Sequence, residues 1–417
     1  MNDPMTDMAG QAFSPLIGVA PLLRRAFAKQ DMQALGMALL KRAEEHIDDA
    51  HALMDCSVYL QITGHHDLAL AMQAQAIKTQ PLYHFPATQD GPGLRLLVIM
   101  GPGDLMANTP IEFLLEESDV SFDILYLTRD AAWPDIVPEH DVMMVAMAES
   151  ESNQALLAQL AQLTATWPRP VINLPQYIAK LTRDGVCATL ADCAGIDMPR
   201  TVRAKRATLL SLAANELTLS QLLPGDDFPL IIRPLGSHAG TNLDKVDDRA
   251  QLAGYLSRVD AADFYLSRFV DYRSADGWFR KYRIALIEGR PFLCHMAVSK
   301  HWMIHYLNAG MNEDGNKREQ EALCMAQFDE DFAVTHAAAL KLIDQRMGLP
   351  YIGIDCAVSA SGDLLIFEVD NAMVVHAMDP LDMYEYKQAV MKKLFRAFRA
   401  MLGNASRQPA PNTIAIQ

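Results

Sequence analysis

Three carboxylates, Asp355, Glu368 and Asp370, stand in the run Tyr351–Asn371, YIGIDCAVSASGDLLIFEVDN. Two β-rich runs flank Ser361-Gly362, which reads as a tight hairpin turn. With Ser361 and Gly362 as the central turn residues, Ala360 faces Asp363, Asp355 lies opposite Glu368, and Gly353 lies opposite Asp370. Residues two apart on a strand share a face, so the three acids converge on one face of an otherwise apolar hairpin. Opposed like charges destabilise a sheet, and a buried carboxylate needs compensation. A divalent cation supplies it: magnesium takes oxygen ligands and combines one or two carboxylates with phosphates and waters. A one-residue change of register separates the acids. The alternative is a solvated strand face with incidental acids.

A metal–phosphate site also needs cations and backbone donors. Phe228–Leu243, FPLIIRPLGSHAGTNL, offers both. Leu230–Ile232 reads as a buried strand ended by Arg233-Pro234, and Gly236, Ser237, His238, Ala239, Gly240 and Thr241 form a small loop. Glycines let successive N–H groups approach phosphate oxygens, and Arg233 can grip phosphate bidentately. Arg283 sits inside the strand Lys281–Ile287, where a charge is expensive without a partner; a salt bridge to a local acid is its plainer role. Lys180 and Arg183 lie early on a predicted helix after Asn173-Leu174-Pro175, and a solvated face is the plainer fate of Lys180. After Arg290 come His295, Lys300, His301, Trp302, His305 and Tyr306. That cluster either holds an anionic or aromatic substrate or covers the core.

These residues need elements to position them. Residues 1–87 read as helical, with apolar positions at helical spacing through Leu22–Leu40 and Leu53–Ile77. Leu53, Leu60, Gly64, Ala69, Ala76 and Pro81 match one tetratricopeptide-like repeat; a small helical cap is the alternative. Either form would serve a protein partner, self-association or a substrate entrance. Thr88–Gly93 is turn-rich. Residues 94–175 alternate short apolar strands (Arg95–Met100, Phe122–Leu127, Val142–Ala146, Val171–Asn173) with helices, the pattern of a small doubly wound α/β domain. Residues 176–403 mix helices, such as Tyr177–Gly195 and Asp331–Met347, with strand pairs, which is α+β character. Residues 404–417 read as a flexible tail.

Several chemistries drop out. Gly101-Pro102-Gly103 follows a strand, but Met106 stands where a dinucleotide fingerprint needs glycine. There is no P-loop, no nucleophile elbow and no zinc spacing, and Trp302 replaces the metalloprotease glutamate between His301 and His305. The six cysteines include no CxxC pair, which suits reduced thiols and the cytoplasm. The net charge of -15 argues against nucleic acid. No apolar run approaches the roughly 20 residues of a membrane span.

From about Leu94 to Leu402 the chain resembles the ATP-grasp superfamily. The order carries it: a small α/β domain, Asn-Leu-Pro and a helix, Gly195–Pro199, FPLIIRP with its glycine loop, FYLSRFV, KYRIALIEGRP, and the D…ExD hairpin. The resemblance implies ATP between two α+β subdomains, with Arg233 on phosphate and adenine and Gly236–Thr241 closing over the phosphates. It places Ser267, Arg268, Phe269 and Val270 at the hinge, Asp271 near the sugar, and Arg283 toward the phosphates or an acyl phosphate. It makes Asp355, Glu368 and Asp370 the magnesium ligands. Arg233 stands where the family usually has lysine, and Asp370 where it usually has asparagine, with Asn371 next; either of the last two could ligate. The implied reaction activates a carboxylate as an acyl phosphate and joins it to an amine, on small-molecule or peptide substrates. A small-molecule kinase and a non-catalytic ATP-binding scaffold are the rivals.

Overall fold

The chain opens with four helices, α1 (Val19–Phe27), α2 (Gln33–Glu45), α3 (Ala50–Ile62) and α4 (His66–Thr79); α1 is amphipathic, whereas α3 is buried nearly all round. The structure, a computed structural model, describes residues 13–129, 133–134, 136–237 and 240–408. It divides into two compact units. Of the described residues, one contains those within 1–148, 152–178 and 371–417; the other contains those within 149–151 and 179–370.

In the first unit the helices and the α/β sheet share one body. The sheet has the order β1-β3-β2-β4-β5, from β1 (Leu82–Phe85), β2 (Leu94–Met100), β3 (Val120–Tyr126), β4 (Val142–Val145) and β5 (Val171–Ile172). The last four run parallel, as the strand–helix alternation implies, and β1 pairs antiparallel with β3. Residues 82–85 therefore belong to the sheet rather than to a purely helical region. Phe85 stacks on Phe122, its partner across the strands, at 4.6 Å.

Asp55 on α3 accepts the N–H groups of Ile17 and Gly18, at 2.9 and 3.0 Å. Glu112, on the short helix α5 (Ile111–Leu114), accepts those of Val19 and Ala20, at 3.0 and 2.9 Å. The two acids thus satisfy the orphan donors at the start of α1. Gln73 grips both N–H and C=O of Gly103, Asn108 does the same for Gly101, and Gln61 takes the N–H of Leu105. The Gly-Pro-Gly loop is therefore tied down by the chain's own amides, in keeping with its reading as a plain turn. The helix α6 (Gln154–Thr164) and the short α7 (Pro175–Ile178) follow. The C-terminal helix Leu381–Ser406 packs on β4 and β5, and Arg399 forms an ion pair with Asp119 at 2.7 Å. Residues 371–408 thus belong with the first unit, and residues 404–406 are helical instead of tail; 409–417 lie outside the described residues.

The second unit has two α+β halves. After α8 (Arg183–Leu190) and β6 (Ile196–Asp197) comes β7 (Thr201–Lys205), then α9 (Arg206–Ala213), β8 (Leu230–Pro234), β9 (Asp244–Val246), α10 (Arg249–Arg258) and β10 (Asp263–Arg268). The strands form an antiparallel sheet, β7-β10-β8-β9, whose core includes Leu230, Ile232, Leu252 and Phe264. The second half contains β11 (Phe279–Ile287), β12 (Arg290–Ser299), α11 (Gly315–Gln327), α12 (Phe332–Thr335), α13 (Ala337–Met347), β13 (Tyr351–Val358) and β14 (Leu364–Asp370). Its sheet runs β12-β11-β13-β14-β6. The fold is thus α/β and α+β, and two sheeted halves in this order are what the ATP-grasp resemblance implies. All six cysteines are free thiols. Among the described residues no helix is long and apolar enough to cross a membrane.

Candidate functional site

The hairpin β13–β14 has the register read from the sequence at its acidic end: Asp355 opposite Glu368 and Gly353 opposite Asp370. The turn differs. Val358 pairs with Leu364, and Gly362 has φ 87°, so residues 360–362 form a three-residue loop in place of a two-residue one. A bulge then inserts Phe367, because Cys356 pairs with Ile366 while Asp355 pairs with Glu368. One slip cancels the other.

Cations compensate these acids. Arg283 lies directly across from Asp355 on β11. Its Nε and Nη2 donate to the two Asp355 oxygens at 2.8 and 2.9 Å, and Lys281 Nζ approaches Oδ2 at 2.7 Å. Burial pushes the Asp355 carboxyl up, but Arg283 and Lys281 outweigh it and hold the acid far below the carboxylate range. Arg183 donates to Glu368 Oε1 at 2.5 Å and to the Phe367 carbonyl at 3.0 Å. Burial is the largest influence and raises the Glu368 carboxyl, but Arg183, Arg233 and Lys281 together outweigh it, and the net direction is down.

Arg183 owes its place to a break in the helix expected over Tyr177–Gly195. The chain turns at 179–182, Thr182 accepts the Gly185 N–H at 3.0 Å, and α8 begins at Arg183. Glycine is required at 185: a Cβ there would lie 2.4 Å from the Lys180 carbonyl oxygen. Asp184 pairs with Arg203 at 2.9 and 3.0 Å and accepts from the Tyr265 hydroxyl at 3.4 Å. Arg203, Tyr265 and Arg233 form one cross-strand row over β7, β10 and β8.

Arg233 is 8% exposed, and its guanidinium donates to the Ser237 hydroxyl at 3.0 Å and to the Ser237 carbonyl. Burial, then the neighbouring Arg183, push it down to about 10. One cavity of the second unit is lined by Arg183, Gly236, Ser237, Tyr265, Glu368 and Asp370. Arg203, Glu149 and Glu151 line it as well, so two arginines, a glycine turn and four acids face the cavity; Arg233 lies outside the lining, within electrostatic reach of Arg183. Such a lining suits an anion that arrives with a cation to offset the carboxylates.

The other sequence-derived candidates lie elsewhere. Lys180 does not line this cavity; Arg183, three residues on, does. Gly240 and Thr241 are in the loop but outside the lining, and His238 lies outside the described residues. Ser267, Arg268, Phe269, Val270 and Asp271 do not line it either. Arg268 pairs with Asp197 at 2.5 Å, and Asp271 with Arg273. Phe269 bonds the Pro229 carbonyl through its N–H, and Val270 packs with Tyr272 and Phe279. Lys300 sits over the Trp278 ring at 5.0 Å, and the His301 N–H bonds the Ser299 hydroxyl. Burial, then Lys281 and Arg283, push the His305 imidazole down, so it is neutral near pH 7. Asn371 is fully buried in the first unit, donating to the Met147 carbonyl at 3.0 Å. Sequence reasoning missed Tyr265, Arg203 and the second cation on Asp355, Lys281. The signal for Lys281 was its spacing of two from Arg283, which puts both on one strand face.

The donor set sorts itself with respect to magnesium. Glu368 and Asp370 share a strand face and a cavity, which suits the usual pair of carboxylates plus phosphate and water. Asp355 does not suit it, since both its oxygens are engaged by cations. Among the described residues no three acid, histidine or cysteine side chains converge to hold a metal.

No protein-family model and no curated protein matches the chain. Solved structures do. A D-alanine–D-alanine ligase from Bacillus anthracis, complexed with ATP, is 14% identical with a TM-score of 0.43, over 75% of this chain and 96% of that one. The VanG D-Ala:D-Ser ligase from Enterococcus faecalis is 14% identical with a TM-score of 0.44, over 74% and 99%. A RimK domain ATP-grasp protein from Sphaerobacter thermophilus is 14% identical with a TM-score of 0.42, over 73% and 98%.

Proposed function

We propose that the chain binds Mg-ATP in the cavity of its second unit and uses it to activate a carboxylate, which it then joins to an amine. The observation that supports this most is a buried Arg233 within electrostatic reach of Arg183, next to a cavity where Arg183 meets a glycine turn, Glu368 and Asp370. Two arginines so placed are relieved by a polyanion. Arg183 and Arg233 hold the phosphates, and the backbone N–H group of Gly236 adds a donor. Glu368 and Asp370 would hold magnesium, which neutralises phosphate charge when bound.

A substrate carboxylate oxygen attacks the γ-phosphorus, and the bond to the β,γ-bridging oxygen breaks to release ADP. The amine nitrogen then attacks the acyl carbon, phosphate leaves with the bonding pair, and the nitrogen loses a proton. Arg283 and Lys281 supply positive charge where the acyl phosphate forms. The test is ADP release with ATP across acid and amine libraries, with product identified by mass spectrometry. An amide formed in step with ADP is expected. A phosphorylated alcohol would make the chain a kinase, and bound nucleotide without turnover across the panel would leave a binding role.

A further inference from the structure

We infer that Asp355 is a positioning residue that seats Arg283 and Lys281, and that it is not a ligand of the metal; only the identity of that metal rests on the function proposed above. The backbone itself sets this pairing. Arg283 and Asp355 face each other across adjacent antiparallel strands, and Lys281 lies two residues along the same strand. The guanidinium takes both carboxylate oxygens in a fork, at 2.8 and 2.9 Å, and the ammonium takes Oδ2 at 2.7 Å. Asp355 is 1% exposed, so water does not compete for these bonds.

A magnesium ion demands near-octahedral oxygen geometry at about 2.1 Å. Brought to Asp355, it would stand beside two cations that already share the same carboxylate. Like charges that close repel strongly in a buried setting. Glu368, by contrast, meets a single guanidinium at Oε1, and it lines the cavity together with Asp370. One carboxylate against two cations leaves one positive charge over, beside Glu368, which lies opposite Asp355 on the next strand. Lys281 is further seated by the Ile304 carbonyl at 3.4 Å. Asp355 therefore fixes the direction of that charge.

The test combines a double-mutant cycle, metal affinity and a spectroscopic signature. Asp355→Asn, Arg283→Met and the pair are compared by urea unfolding. Asp355→Asn is expected to lower the midpoint, and the pair to recover part of the loss. Mn2+ affinity in the presence of ATP is read on the Asp355→Asn/Arg283→Met pair, which stays available if the single variant does not fold. It is expected to stay within about threefold of the wild type, whereas Glu368→Gln loses about tenfold or more. The Arg283 Nε–H resonance, assigned by its loss in Arg283→Met, is expected to be protected from exchange in the wild type, with or without Mg-ATP, and lost in Asp355→Asn. Loss of Mn2+ affinity in the pair equal to that of Glu368→Gln would overturn the inference, as would deprotection of Arg283 when magnesium is added. If the wild type binds neither ATP nor metal, the proposed function fails and the cycle alone decides: energetic coupling of Asp355 to Arg283 supports the inference, and additive effects refute it.

Discussion

Arg233→Met is expected to weaken ATP binding about 100-fold, as the loss of one or two hydrogen bonds to charged groups does, while leaving the free protein as stable as before or more so. Both halves follow from one feature. In the free protein Arg233 is buried and crowded by Arg183, which pushes it down to about 10. A cation in that state is a burden on the fold and an asset for an anion, the usual exchange of stability for function. Replacing it with an apolar chain of similar length relieves the burden and removes the asset. Arg233→Lys keeps charge but loses the fork onto Ser237, and is expected to bind within about tenfold of wild type, since one charged hydrogen bond is exchanged for another. Calorimetric titration and a thermal melt on the same samples check both halves. ATP binding by the methionine variant equal to wild type would remove Arg233 from the site.

The second large effect is on stability against pH. Burial pushes Asp55 up from 3.8 to about 6, and Glu112 from 4.5 to about 7, against the backbone bonds they accept. A carboxyl raised in the folded state contributes stability below its unfolded value and loses it as pH rises through the folded one. At about 1.4 kcal/mol per unit, Asp55 is expected to withdraw roughly 3 kcal/mol between pH 4 and 7. His140, His305 and His336 are pushed down by burial and act in the opposite sense below their ordinary value of 6.5. They are common to wild type and Asp55→Asn, so the difference between the two isolates Asp55. Denaturant unfolding at pH 4 through 8 is expected to show the stability of wild type relative to Asp55→Asn falling by that amount. A difference flat in pH would contradict the burial of a charged Asp55.

The hairpin was the most legible part of the site, because strand alternation and a single Ser-Gly turn constrain register tightly. The acid pairing came out right although the turn has one residue more than expected and a bulge at Phe367 takes it back. Strands β2, β3, β4 and β8 announced themselves as apolar runs. β7 (TVRAK) and β9 (DKV) did not: they are edge strands, and few of their side chains are buried. The helix α11 was hidden for a related reason. Of its thirteen residues only Glu321 and Met325 are buried, and Glu321 is buried because it accepts the Met296 N–H and the Tyr306 hydroxyl. No periodicity reveals a buried acid.

Cation assignment was harder still. Lys180 and Arg183 are equivalent on an unbroken helix. Only the cap at Thr182 sets the start of α8 at Arg183 and sends its side chain to Glu368. The compensation of Asp355 was foreseen as a requirement, but its agent was tertiary: two cations on a strand some seventy residues earlier.

The most direct measurement is calorimetric titration of ATP, with and without magnesium, into the wild type and Glu368→Gln. ATP is expected to bind, to bind more tightly with magnesium, and to lose most of that magnesium increment in the variant. Folded wild-type protein that takes up no ATP under either condition would contradict the proposed function.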